Sequence, residues 1–125
     1  METTQLSIQE GNKLIAEFMD LRLLEDGRYE GLYEKGVGIF PPDKLGYNVY
    51  WNWLMPVVEK IETVKIPEYK GFTFDIKRNY CAIYCHYFDR HDGAIYQTPY
   101  GSNPETKIKA VYDGVIAFIK WYNAN

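Results

Sequence analysis

The sequence predicts an α+β fold, a three-layer α/β/α sandwich in the order helix, loop, helix, three-stranded antiparallel meander, helix. Three observations predict it. Apolar residues recur at helical spacing over 8–20, 50–63 and 104–122. Residues 71–98 switch instead to alternation, interrupted by turn residues. The middle strand of that stretch, Tyr80 to Phe88, is apolar and aromatic almost throughout, which predicts cover on both faces and so a helix layer on each side.

The first helix opens on Ser7-Ile8-Gln9-Glu10, a capping box with Ser7 as N-cap and Glu10 reaching back from the third helical position. Ile8, Leu14, Ile15, Phe18 and Met19 follow at helical spacing to about Asp20. From Leu21 to Leu45 the periodicity fails, with Glu25-Asp26-Gly27, Glu30-Gly31, Gly36, Gly38 and Pro41-Pro42 as repeated breaks. This reads as a long excursion with one short strand near Gly38 to Phe40. In the second helix Trp51, Leu54, Met55, Val58 and Ile61 form the apolar stripe. Trp53 falls off that stripe and points away from the core, while Pro56 removes one donor and predicts a kink or a late start.

Phe72, Phe74 and Ile76 alternate with Thr73, Asp75 and Lys77 in a half-buried strand. Arg78-Asn79 makes the turn, with Asn79 suited to positive φ. Asp89 to Gly93 is the next turn, and Ala94 to Thr98 the third strand. Asn103 as N-cap, Pro104 at the first helical position and Glu105 behind it announce the last helix. Its stripe is Ile108, Val111, Tyr112, Val115, Phe118, Ile119 and Tyr122, with Trp121 flanking and partly exposed.

At 125 residues the chain, 1–125, reads as one domain with enough surface to bury for a core that needs no metal or disulfide. A net charge of −3 argues against general nucleic-acid binding. No apolar run is long enough to span a bilayer, and Met1 to Gln5 lacks the opening of a signal peptide, so a cytoplasmic, membrane-free protein is expected. Cys81 and Cys85 lie four residues apart on one strand face, roughly 13 Å, too far to bridge; they read as buried free thiols.

The stretch Leu14-Ile15-Ala16-Glu17-Phe18-Met19, with Trp51-Asn52-Trp53-Leu54-Met55-Pro56-Val57-Val58-Glu59-Lys60-Ile61-Glu62 and the closing Lys107 to Asn123, resembles small proteins of phage and Bacteroidetes-type genomes. The first motif resembles the opening of the phage α/β/α (ABA) sandwich domain family, whose members usually carry glycine where this chain has Asp20. The resemblance implies a phage-type accessory protein acting in the host cytoplasm. It brings no catalytic motif. By class it implies anti-defence work, in which a homo-oligomer sequesters a nucleotide signal of bacterial immunity.

The residues themselves carry no phosphate-loop glycine-lysine motif, no nucleophile elbow and no zinc helix. His86 reads as a core or interface histidine. His91, beside Asp89, Arg90 and Asp92, is a weak candidate for a general base. A binding constellation is better supported. Aromatic residues make up 17% of the chain, with twelve tyrosines, and flat aromatic walls stack on nucleobases. Phe40, Tyr47, Tyr50, Trp53 and Tyr100 are the candidate walls. Ser102 and Asn103 at a helix start, with Lys44 and Arg90, are the candidate phosphate contacts. The expected function is therefore non-enzymatic: binding and sequestration of a nucleotide-derived small molecule, with no metal and no cofactor. The alternative is a protein-interaction module that uses exposed aromatics to form a homo-oligomer, a dimer first, or to grip a host protein.

Overall fold

The computed structural model describes residues 5–33, 36–100 and 104–124. The elements run α1 (Gln5–Phe18), β1 (Arg22–Leu23), β2 (Tyr29–Tyr33), β3 (Gly36–Phe40), α2 (Trp51–Thr63), β4 (Tyr69–Lys77), β5 (Tyr80–Tyr87), β6 (Gly93–Gln97) and α3 (Lys107–Ala124). Two short 3-10 turns, Pro42–Lys44 and Gly46–Asn48, join β3 to α2. The class is α+β, and the helices and the meander follow one another in the predicted order.

The stretch read as a loop holds more structure than its glycines suggest. β1, β2 and β3 form an antiparallel sheet of their own, with Tyr29 opposite Phe40 and Gly31 opposite Gly38. Glycine-rich strands this short leave little alternation in the sequence to detect.

In the meander Phe72, Phe74 and Ile76 oppose Cys85, Ile83 and Cys81, so all of them share one face. α3 packs on that face, and Gly114 permits the approach: a Cβ there would sit 2.9 Å from the Cys81 sulfur. α1 packs in turn on the far side of α3. The layers therefore stack as meander, α3, α1, and α3 is buried on both sides through Ala110, Val111, Tyr112, Val115, Phe118 and Ile119. The opposite face of the meander, with Thr73, Asp75, Tyr84 and His86, stays exposed or half-buried. Tyrosine and histidine cover such a face with their own rings, which is why β5 looks doubly buried in sequence.

Helix ends depart from the predicted caps in instructive ways. α1 already includes Gln5, so Ser7 lies inside its first turns rather than at the cap. It closes with Asp20 N–H on the Glu17 carbonyl at 3.2 Å and Leu21 N–H on the Ala16 carbonyl at 2.9 Å. That pair of bonds is a Schellman motif, and Asp20 takes its left-handed position at φ 57°. α3 starts at Lys107, with Thr106 Oγ1 accepting from Lys109 N–H at 3.2 Å; Thr106 is its cap. In the β4–β5 turn it is Arg78, at φ 45°, and not Asn79, that adopts positive φ. Cys81 and Cys85 are buried free thiols.

Candidate functional site

The largest correction to the sequence reading concerns α2. Its buried residues are Trp53, Leu54, Val57, Val58 and Ile61, while Trp51 is 39% exposed. Trp53, 8% exposed, is a core side chain, and the helix is turned relative to the Trp51 stripe. The small sheet is what buries it. A Cβ on Gly31 would lie 3.1 Å from the Trp53 ring, and one on Gly46 would lie 2.8 Å from its indole nitrogen. Gly46 leaves no room for a Cβ beside the indole, and Gly31 would admit one only if the ring shifted by a few tenths of an ångström. Phe40 and Tyr47 close the slot edge-on, each with its ring centroid 5.3 Å from that of Trp53.

This aromatic slot forms one wall of a cavity of about 530 Å³ between the end of α1, the small sheet and the start of α2. Met19, Leu21, Gly31, Tyr47, Trp53 and Pro56 give it apolar walls; Asp20, Arg22, Glu30 and Asn52 supply polar groups. The size and the mixture suit a small organic molecule. Pro56 has no N–H to offer the Asn52 carbonyl, and both residues line the cavity, so the proline the sequence flags as a helix defect lies at its wall. Burial pushes the Tyr47 hydroxyl up to about 12, so it stays protonated.

The charged groups at the mouth are paired. Arg22 and Glu30 are cross-strand partners with an N–O separation of 3.4 Å, and Asp20 lies 3.6 Å from Lys60. Lys60 also donates to the Phe18 carbonyl at the end of α1 and lies over the Phe18 ring at 4.8 Å, so α2 is fastened to the helix terminus that shapes the cavity. Arg22 keeps most of its side chain in solvent, so its pair with Glu30 is a weak surface contact.

Of the predicted site residues, Tyr47 and Trp53 come together at this cavity and Phe40 stands behind the indole. Tyr50 is 59% exposed, with its ring against Gly46, and Lys44 is exposed; neither lines the cavity. Arg90 stacks on Tyr87, 3.9 Å from the ring centroid, in the β5–β6 turn, and Tyr100 is fully exposed. Ser102 and Asn103 lie outside the described residues. Asp20, Arg22, Glu30 and Asn52 escape sequence reading because strand pairing and a helix end bring them together, not a motif. The signal that was present is Asp20 itself, an aspartate where the chain needs a left-handed residue.

Among the described residues no group of three His, Cys, Asp or Glu side chains is placed to hold a metal ion, and no helix is long and apolar enough to cross a membrane. No family model matches the chain, and no similar curated protein or solved structure is found.

Proposed function

We propose that the protein is a binding protein, without chemistry at this cavity, that captures a nucleotide-derived small molecule there. The observation that carries the reading is the union, in one cavity of about 530 Å³, of an aromatic wall (Trp53, Tyr47) with polar groups able to read a planar ligand's edge. A base against the wall would meet the Asn52 side chain, whose amide both donates and accepts. Asp20 and Glu30 accept from ribose hydroxyls, and Arg22 swings to a phosphate. In the setting that the sequence resemblance implies, such capture withdraws a signalling nucleotide from its receptor.

Calorimetry and native mass spectrometry against a panel of cyclic and linear nucleotides test this. One member of the panel is expected to bind, and Asn52→Ala to weaken it about tenfold, the worth of a hydrogen bond to the ligand. Failure of every member to bind rejects the reading.

A second reading rests on its own observation. Val49, Tyr50 and Trp51, consecutive at the start of α2, are all exposed, although large apolar side chains in a row usually meet a partner. A homo-oligomer, a dimer first, follows from it. Light scattering that returns 14.7 kDa at high concentration rejects that reading.

A further inference from the structure

On the exposed face of the meander, three side chains from separate segments make a hydrogen-bonded line. Asp92, in the turn before β6, places Oδ2 2.8 Å from His86 Nδ1 on β5. His86 Nε2 lies 2.9 Å from the hydroxyl of Thr73 on β4. The fold makes this line possible. His86 is paired with Gly71, so Thr73, two residues further along β4, is its diagonal neighbour on the same face. The sheet register shifts between Tyr69 and Gly71, a bulge of the kind that re-aims side chains.

The direction of each bond follows from donor chemistry. A carboxylate only accepts, so Nδ1 carries the ring proton and gives it to Asp92. The neutral ring then presents Nε2 as an acceptor, and the Thr73 hydroxyl donates to it. This is the polarity of a nucleophile, base and orienting carboxylate. Thr73 is exposed, and at Gly71, beside His86, nothing lies within 4 Å of where a Cβ would stand, so the hydroxyl borders open ground. His86 is 29% exposed, enough for proton traffic while its ring stays held between its two partners. His91, the sequence's candidate base, has no part in the line: the carboxylate beside it pairs with His86.

We propose that Thr73, His86 and Asp92 form a second functional site, an acyl-accepting relay for activated carboxylic esters. Thr73 Oγ forms a bond to the ester carbonyl carbon while its proton passes to His86 Nε2. The bond from that carbon to the leaving alcohol breaks, and the imidazolium returns the proton to the departing oxygen. Water then attacks the acyl-threonine, His86 again taking the proton and now returning it to Thr73 Oγ as the free acid leaves. Asp92 holds the ring orientation and balances the transient imidazolium; it is a positioning residue. None of these residues lines the cavity, so the proposal does not depend on the ligand assigned there.

The probe is p-nitrophenyl acetate with the full chain. Nitrophenolate release is expected to exceed that of free imidazole at equal concentration, with peptide mapping finding one acetyl group on Thr73. Thr73→Ala abolishes the adduct and the excess rate; Thr73→Ser retains both. His86→Asn lowers the rate by about 100-fold, the usual worth of a general base. Asp92→Asn lowers the rate with the adduct still on residue 73, the mark of positioning. Thr73 and Asp92 are exposed, so their variants should keep the wild-type melting curve, recorded alongside. A Thr73→Ala protein as fast as wild type, acetyl groups on lysines or tyrosines alone, or a wild-type rate no greater than imidazole's each overturns the proposal and leaves a structural hydrogen-bond chain.

Discussion

Asn12 and Tyr112 stand 100 positions apart in the chain, yet the Tyr112 hydroxyl donates to Asn12 Oδ1 at 3.0 Å. Asn12 is fully buried, and its amide nitrogen donates to the carbonyls of Pro42, at 2.9 Å, and Leu45, at 3.1 Å. One side chain therefore joins α1, the turn that leads to α2, and α3. Its donors and its acceptor atom all find partners, as buried amides must.

Removing that junction is expected to be costly. Asn12→Ala takes a donor from the buried Pro42 and Leu45 carbonyls and leaves the Tyr112 hydroxyl only its longer contact with the Ile8 carbonyl, 3.3 Å, and should lower stability by about 2–3 kcal/mol in urea unfolding. Tyr112→Phe leaves one acceptor unpaired and should cost about 1 kcal/mol less. Equal effects would mean that water replaces the amide.

Trp53→Ala should cost about 3–5 kcal/mol and lower the melting temperature sharply, as large-to-small core changes do. Gly46→Ala, which drives a methyl against the indole, should cost about 1–3 kcal/mol by overpacking. Thermal melts of both variants test the slot. An unchanged Trp53→Ala melt would return the indole to the surface, where the sequence pattern puts it.

Asp20 sits at φ 57°. Asp20→Gly should leave stability within a few tenths of a kcal/mol of wild type or raise it, because glycine adopts this backbone without strain while the loss of the Lys60 contact subtracts little. Asp20→Val should cost about 1–2 kcal/mol, since a β-branched residue resists the left-handed region. Chemical denaturation of the pair gives the comparison, and the reverse order would contradict the Schellman assignment.

Alkaline pH should unfold the protein in a defined window. Burial pushes Tyr47 up to about 12 from 10, Tyr112 is raised by burial and then by Asp113, and Cys81 is pushed up to about 12 from 9 by burial, then Asp75 and Asp113. Above each unfolded value the unfolded chain releases its proton while the folded chain holds it. Stability is therefore complete below about pH 9 and falls as pH rises toward 12, by up to about 1.4 kcal/mol per unit for each group that is displaced. Tyr47→Phe should flatten the decline above pH 10, read as the midpoint of urea unfolding at successive pH values.

Local rules wrote much of this molecule into its sequence. The α+β class, the three long helices in order and the β4–β5–β6 meander follow from periodicity and turn residues, because both depend on neighbours a few positions apart. The thiols are also legible: spacing forbids a bridge, and strand position implies burial. Tyr47 and Trp53, which the sequence offers as aromatic walls, both line the cavity, although Trp53 does so as a buried side chain. Nothing local could say that Trp53 is buried, because what hides it is Gly31, within the segment that reads as a loop, and Gly46, just past its end. Which face of α2 turns inward is a property of the surfaces that meet it, and two residues two apart on a helix cannot settle it between themselves. The same holds for the middle layer, where α3 rather than the meander is covered on both sides because Gly114 and Gly11 admit neighbours there. The cavity's polar groups and the Thr73–His86–Asp92 line arise from strand register, a bulge and a helix end. Those juxtapositions exist only once the chain has closed on itself, since hydrogen bonds and side-chain contacts act over a few ångströms of space, whatever the distance along the sequence.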